Sequence, residues 1–147
     1  MNRYKEMKDR QGVEINDFPM AFAFSDKQFE EGMAKLGLKP EDTDKVWAIP
    51  NTGGFYRRDD AEAFHEMFDR HWGEYQAAIA EDITGEGFIY EMFRYELENH
   101  EFGYTWDVTD TLRALGLDKK DLEKSEALRN GLAKAVAYIR EYEEKRA

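Results

Sequence analysis

The first 57 residues of the chain contain three short apolar runs with the spacing of β-strands. Residues 20–24 (Met-Ala-Phe-Ala-Phe) alternate large and small apolar side chains, which is typical of a strand. Two further runs, residues 46–49 and 55–57, flank the sequence Pro-Asn-Thr-Gly-Gly at 50–54. Asn and Gly tolerate the positive φ of tight turns, so this pattern predicts a hairpin. With the first run, the hairpin forms a three-stranded antiparallel sheet, about the minimum for a stable one.

Most of the remaining chain has the apolar spacing of amphipathic helices. Ser25 and Ser125 are predicted N-caps, Asp59 with Glu62 forms a capping-box pattern, and Gly37 and Gly116 are predicted helix stops. Helices are therefore predicted at residues 3–15, 25–36, 59–81, 88–100, 107–115 and from 125 onward. In the longest of them, the predicted apolar face consists of Phe64, Met67, Phe68, Trp72, Tyr75 and Ile79.

These elements predict an α+β fold in a single domain of residues 1–147. It has a small three-stranded antiparallel sheet packed with four to six helices, and its C-terminal two-thirds are helical. A hydrophobic fraction of 41% and an aromatic fraction of 14% are enough for a packed core in a chain of 147 residues. The chain has no cysteine, and its charged first residues lack an apolar signal segment. We therefore expect a cytoplasmic protein without disulfides.

The net charge of −11 is concentrated in one segment. Residues 61–106 carry eleven acidic and two basic side chains, whereas residues 1–40 and 107–147 are each neutral. Nucleic acid and anionic lipid are themselves polyanions, so we expect no direct nucleic-acid partner and no membrane partner.

The acidic side chains of this segment predict a binding surface on two helices. Carboxylates recur on one face of each predicted helix, opposite the apolar stripe. The predicted acidic surface consists of Glu62, Glu66, Asp69, Glu91, Glu98 and Glu101. Such a surface either binds a basic site on a protein partner or merely keeps the fold solvated.

A second candidate site is a pocket for a small anion. Glycines at 53 and 54 allow a ligand close to the backbone, and Arg57 and Arg58 suit a phosphate or carboxylate. His71 and Glu96 fall on the apolar faces of their helices, where they are predicted to meet and to serve acid–base chemistry or simply to pair. The predicted anion pocket therefore consists of Gly53, Gly54, Arg57, Arg58, His71 and Glu96. The alternative is an ordinary turn with both arginines bound to Asp59 and Asp60.

A metal site has little support in the sequence. His65 and Asp69 share a helix face at i and i+4, but the second histidine of a zincin motif is missing. We therefore predict no metal and no cofactor, and no catalytic residues.

Several segments resemble a known family. They are residues 16–25 (Asn-Asp-Phe-Pro-Met-Ala-Phe-Ala-Phe-Ser), 27–33, 54–57 (Gly-Phe-Tyr-Arg) and 66–71 (Glu-Met-Phe-Asp-Arg-His). They are similar to a family of small acidic proteins of unknown function from gut-bacterial genomes, phages and other mobile elements. The resemblance covers roughly residues 10–135 and assigns no functional residues. The resemblance implies that the protein is encoded on a phage or another mobile element, where small acidic proteins often block host defence.

The leading hypothesis is a non-enzymatic binding protein that presents its acidic helices to a basic site on a host protein, with anti-restriction or anti-CRISPR inhibition as the specific expectation. A second hypothesis is a pocket protein that sequesters or hydrolyses an anionic, nucleotide-like ligand. A third is an acidic structural domain with no specific activity. The sequence is compatible with a homodimer.

Overall fold

The structure, a computed structural model, describes residues 1–100 and 107–146 of the chain. The strands are β1 Met20–Phe22, β2 Val46–Ile49 and β3 Gly54–Arg57. The α-helices within the described residues are α1 Arg3–Asp17, α2 Asp26–Lys35, α3 Ala61–Glu81, α4 Phe88–Asn99, α5 Thr109–Ala114, α6 Lys119–Lys124 and α7 Glu126–Arg146.

The predicted α+β class is confirmed, including the three-stranded antiparallel sheet and the helical C-terminal part. The described residues contain seven α-helices rather than four to six, and the additional one is α6. Asp118 and Asp121 form a capping box at the start of α6, each accepting a hydrogen bond from the other's backbone N–H. This short helix lacks an apolar stripe of its own, which explains why periodicity did not predict it.

The chain divides into two compact units. The first comprises Met1–Arg10 and Glu74–Ala147, and the second comprises Gln11–Gly73. Helices α1 and α3 contribute residues to both. The single domain expected from the sequence stays a prediction.

In the second unit, β3 is the central strand of the sheet and pairs antiparallel with β1 and β2. Helix α2 packs on one sheet face, where Met33, Leu36, Ala21 and Phe55 form a buried cluster. The helix approaches the sheet closely at Gly32, since a Cβ there would lie 2.7 Å from Phe55 Cζ. The apolar cluster therefore depends on a residue without a side chain.

The other sheet face is covered by the start of α3. The Phe64 ring stacks on Tyr56 of β3 at a centroid distance of 4.2 Å, and Met20 completes this buried cluster. Phe18 packs edge-on against Phe64 and belongs to the same cluster. The second unit thus has apolar packing on both faces of its small sheet.

In the first unit, the largest buried cluster is built on α4. The completely or nearly completely buried side chains of α4 are Ile89, Met92, Phe93, Glu96 and Leu97. They pack with Tyr4 and Met7 of α1 and with Leu128, Ala135 and Ile139 of α7. The approach of α7 is close, because a Cβ at Gly131 would lie 2.5 Å from Ile89 Cγ2.

Asp82 organises the turn between α3 and α4. Its carboxylate accepts hydrogen bonds from the backbone N–H groups of Gly85, Gly87 and Ile89, at 3.1, 3.0 and 2.9 Å. Backbone N–H groups at the start of a helix have no hydrogen-bond partner within the helix. A carboxylate there accepts their hydrogen bonds, and its negative charge interacts favourably with the helix dipole. This one side chain therefore fixes where α4 begins.

The predicted caps at Ser25, Gly37, Gly116 and Ser125 are confirmed. Ser25 and Ser125 accept hydrogen bonds from the N–H groups three residues later. Gly37 and Gly116 have φ of 76° and 70°, and both ends have the two backbone hydrogen bonds of a Schellman motif. The prediction for Asp59 is wrong, because residues 58–60 form a 3₁₀ turn that runs into α3.

Candidate functional site: the acidic face of helix α3

Helix α3 is buried along a narrower stripe than its apolar residues suggest. Phe64, Met67 and His71 are buried, at 9%, 4% and 6% exposure. Phe68 and Trp72, which were predicted on the buried face, are 39% and 52% exposed. The prediction for these two is wrong because they lie at the edge of the stripe, beyond the side chains that contact the sheet and α1.

Three predicted surface carboxylates of α3, namely Glu62, Glu66 and Asp69, are exposed. We call this trio the acidic face. Within residues 1–100 and 107–146, no lysine or arginine forms an ion pair with any of the three. All three belong to the second unit. Helix α3 thus presents three carboxylates that no cation of the described residues neutralises.

The remaining predicted surface carboxylates lie on α4 or beyond it. Glu91 is partly buried and accepts hydrogen bonds from the backbone and the guanidinium of Arg3, at 3.0 and 3.1 Å. Glu98 is exposed, with its Oε1 3.6 Å from Nε of Arg94. Glu101 lies outside the described residues. The two predicted surface carboxylates on α4, Glu91 and Glu98, therefore each have a cationic partner, unlike those of the acidic face.

Beside the acidic face, Glu14 of α1 joins two side chains of α3. Its carboxylate accepts two hydrogen bonds from the guanidinium of Arg70 and one, at 2.7 Å, from Nε2 of His71. The hydrogen bond from Arg70, followed by that from His71, lowers the pKa of Glu14 to about 2. Glu14 and His71 are 57 positions apart. No local pattern indicates this pair, so the sequence did not predict it.

We expect the Glu14 carboxyl group to titrate near pH 2, and its pKa to rise toward the ordinary value in Arg70→Gln. A carboxyl group with a lowered pKa stabilises the fold above its unfolded pKa of about 4.3, and this contribution is lost as the pH falls toward 2. A ¹³C NMR titration of the side-chain carboxyls measures both values. Lys35→Gln, which also removes one cation from this unit, should leave Glu14 unchanged. A midpoint above about 4 in the native protein would contradict the assignment.

Glu96 is the most deeply buried charged side chain of α4, at 2% exposure. Its Oε1 accepts hydrogen bonds from the Tyr4 hydroxyl at 2.9 Å and from Nζ of Lys8 at 3.1 Å. Its Oε2 lies 3.2 Å from Nε2 of His100. Burial, and then the hydrogen bond to Glu96, raise the pKa of Tyr4. The Tyr4 hydroxyl therefore stays protonated and donates a hydrogen bond to the carboxylate. These contacts give the buried Glu96 carboxylate the polar partners that a buried charge requires.

His71 and Glu96 are both buried, as their helix positions predicted, but the structure gives them different partners. Glu14 contacts the histidine, whereas Tyr4, Lys8 and His100 contact the carboxylate. The predicted His71–Glu96 pair is therefore replaced by two separate clusters, each with its own counter-charge. Both clusters are typical of buried polar groups that are satisfied within the fold.

The hairpin has the predicted turn residues, with φ of 64° at Asn51 and 73° at Gly53. A ligand cannot approach these glycines from the side where a Cβ would point. At Gly53 that position lies 2.6 Å from Phe24, and at Gly54 it lies 2.8 Å from Phe22. Gly54 therefore makes room for an aromatic ring of the neighbouring strand.

The two arginines after the hairpin are engaged within the protein. Nε of Arg57 donates to Asp60 at 2.8 Å, which is one of the ion pairs expected for an ordinary turn. The expected pairing of Arg58 with Asp59 or Asp60 is not found among the described residues. Arg58 donates to the Asp44 carbonyl at 3.0 Å and lies over the Trp47 ring at 5.0 Å. These contacts use the groups that an anion pocket requires. The geometry therefore favours a structural role for the hairpin and its arginines.

Over residues 1–100 and 107–146, no three Asp, Glu, His or Cys side chains converge on a point that could hold a metal ion. None of the helices in these same ranges combines the length and the apolar character that crossing a bilayer requires.

The fold and the exposed carboxylates of α3 define a small α+β protein with an acidic surface on one helix. The chain belongs to a family of unknown function, DUF7659, whose family model matches residues 3–138. No curated protein and no solved structure matches the chain.

Proposed function

We propose that this protein is a non-enzymatic binding protein whose acidic face on α3 recognises a basic site on a protein partner. The observation that supports it is the absence of internal counter-charges for Glu62, Glu66 and Asp69 within the described residues. Other carboxylates nearby, such as Glu14 and Asp60, have an arginine partner. A cation from outside the chain would complete the charge pairing of α3.

The carboxylates of the acidic face lie close enough along α3 to repel one another. Glu62 and Glu66 are separated by four positions and Glu66 and Asp69 by three, so they are neighbours on the helix surface. Like charges at these spacings destabilise a helix by roughly 0.2–0.5 kcal/mol per pair. A basic partner would turn this repulsion into attraction, which is the basis of electrostatic recognition.

Exposed aromatic side chains next to the acidic face favour a protein as the partner. Phe68 and Trp72 follow each other at i and i+4, and Phe68 directly precedes Asp69 along the helix. Aromatic side chains dominate the energetics of protein–protein interfaces, whereas carboxylates steer association and set specificity. Together they suit a basic protein surface with an apolar centre.

The biological setting is part of the proposal. We place the protein in the cytoplasm, encoded by a phage or another mobile element of a gut bacterium, with a host defence protein as the partner. Its acidic face would occupy a basic nucleic-acid channel, as an anti-restriction or anti-CRISPR inhibitor would. The resemblance of residues 16–25 and 66–71 to proteins of such elements supports this setting, together with the net charge of −11.

To test this function, the native protein and a Glu62→Gln/Glu66→Gln/Asp69→Asn variant are immobilised and exposed to host lysate at about 50 and 500 mM salt. We expect a basic protein to bind the native chain at low salt only. With the purified partner, the variant should bind about 10- to 150-fold more weakly, since three exposed charge pairs contribute roughly 0.5–1 kcal/mol each.

A matched control variant separates a specific surface from general charge. Glu30→Gln/Glu31→Gln/Glu41→Gln removes three exposed carboxylates of the same unit, all of them outside α3. It should bind the partner as the native protein does. Equal losses in both triple variants, or binding that does not respond to salt, would overturn the proposal and favour a purely solubilising role of the charge.

A further inference from the structure

A groove in the second unit adjoins the acidic face. It lies between the C-terminal part of α1, the turn at Phe18 and Pro19, and the first half of α3, and has a volume of about 390 Å³. Its apolar lining consists of Phe18, Pro19, Ala63 and Met67. Met67 is 4% exposed, so the floor of the groove belongs to the packed interior. The volume is in the range of small-ligand sites and fits one long side chain.

The charged lining of this groove is unevenly neutralised. Glu14 and Arg70 form an ion pair in the lining, and His71 adds a further hydrogen bond to Glu14. Asp17 and Glu66 also line the groove and are exposed. Within the described residues, neither forms an ion pair. The groove therefore offers two unneutralised negative charges beside an apolar floor, and its one arginine is already engaged.

This combination matches one class of side chain. Lysine and arginine have a long aliphatic stem and a cationic end, and they bury the stem against apolar surface while the charge remains at the edge. An anion would meet Asp17 and Glu66, and a purely apolar group would desolvate both carboxylates without compensation. Only a cation on an aliphatic stem satisfies the floor and the carboxylates at the same time.

We infer that the groove between α1 and α3 binds one lysine or arginine side chain of the protein partner, with its stem on Phe18 and Met67 and its cation between Asp17 and Glu66. The inference rests on the proposed function, and it identifies the groove as the place where one side chain of the partner is held. The acidic face attracts the basic surface over a distance, and the groove fixes the position of one of its cations. The anchor residue Asp17 lies outside the acidic face.

The inference is tested with N-acetyl-arginine amide and N-acetyl-lysine amide as probes, and with N-acetyl-citrulline amide as the uncharged analogue of arginine. The full chain carries ¹³C-labelled methionine and alanine methyl groups, so that Met67 and Ala63 report directly from the groove. We expect saturable shifts of both signals with one or both cationic probes, at a Kd of about 1–10 mM. Citrulline should cause none.

Two variants with the same change in charge test whether the cationic probes bind in the groove. Asp17→Asn/Glu66→Gln should weaken probe binding at least about tenfold. Glu30→Gln/Glu31→Gln, which removes two exposed carboxylates of α2 in the same unit, outside the groove and the acidic face, should change it less than about twofold. Ala63→Leu keeps all charges and fills the groove, and it should also abolish binding. Thermal unfolding of each variant confirms that it is folded.

Equal losses in the two charge variants, shifts with citrulline, or shifts that do not saturate would overturn the groove as a specific site. Binding to the purified protein partner distinguishes this failure from that of the proposed function. If the partner responds to the acidic face but not to Asp17→Asn or Ala63→Leu, the groove inference is wrong and the proposed function stands. If the probes bind in the groove but the acidic-face variant binds the partner as tightly as the native protein does, the proposed function is wrong and the groove remains a cation site.

Discussion

We expect the substitution Gly85→Ala to lower the free energy of unfolding by at least about 3 kcal/mol. Gly85 is buried and has a φ of 84°, in the left-handed region that costs other residues roughly 1–2 kcal/mol. A Cβ at this position would also lie deep inside the van der Waals surface of the Ala127 carbonyl group of α7. Both obstacles involve backbone, which cannot move aside as a flexible side chain can.

The consequences extend beyond the turn, because this contact joins it to α7. The Gly85 carbonyl oxygen in turn lies 2.6 Å from the position of a Cβ at Gly131 on α7. The backbones of the turn and of α7 therefore touch through two glycines. Relieving the overlap at Gly85 requires α7 to move away from the buried face of α4, which loses apolar contacts with Ile89.

Two other glycines separate the contributions to this effect. Gly37 has a φ of 76° but nothing within 4 Å of its Cβ position, so Gly37→Ala measures the backbone conformation alone, about 1 kcal/mol. Gly73 lies within α3 with free space around it, and Gly73→Ala should stabilise by about 0.5–1 kcal/mol. Chemical denaturation measures all three. A Gly85→Ala loss no larger than that of Gly37→Ala would show that α7 does not constrain the turn.

The elements that the sequence predicted correctly are those encoded by neighbouring residues. Ser25, Gly37 and Ser125 act within one helical turn, and the Asn51–Gly53 turn needs only its own backbone conformation. Local hydrogen bonds and φ preferences are readable from short motifs. Helix α6 was missed because it has a local cap at Asp118 but no apolar stripe to reveal it.

The candidate site was only partly predictable for the opposite reason. Helical periodicity placed His71 and Glu96 correctly in buried positions, but it could not supply the partners of either. Glu14 approaches His71 from 57 positions away and Tyr4 approaches Glu96 from 92 positions away. Periodicity also indicates the direction of a buried stripe and not its width, so Phe68 was wrongly placed inside it. The groove floor at Phe18 depends on the same tertiary packing.

The division of acidic residues into paired and unpaired groups could not be predicted either. In the sequence Glu66 and Glu91 are equivalent members of one acidic segment. The structure distinguishes them, because Arg3 reaches Glu91 from the start of the chain while no described cation reaches Glu66. A charge count therefore locates the acidic segment, and only the tertiary structure shows which of its carboxylates remain available to a partner.

We expect Glu96→Ala to cost about 2–5 kcal/mol of unfolding free energy. The substitution removes the acceptor of the buried Tyr4 hydroxyl and the counter-charge of Lys8, and it leaves a cavity beneath α4. A buried donor without a partner loses its full hydration energy, which is the larger part of the expected loss. Glu96→Gln keeps the shape and an acceptor oxygen, so we expect it to cost only about 1–2 kcal/mol.

A double-mutant cycle tests whether the Tyr4 hydroxyl bond carries this effect. Tyr4→Phe removes the donor, so Glu96→Ala should cost at least about 1 kcal/mol less in the Tyr4→Phe background than in the native one. On the same helix, Glu98→Ala removes an exposed carboxylate with an i−4 arginine partner and should cost no more than about 0.5 kcal/mol. Strictly additive losses would show that Tyr4 and Glu96 contribute independently. A Glu96→Ala loss as small as that of Glu98→Ala would mean that water satisfies the cluster as well as the carboxylate does.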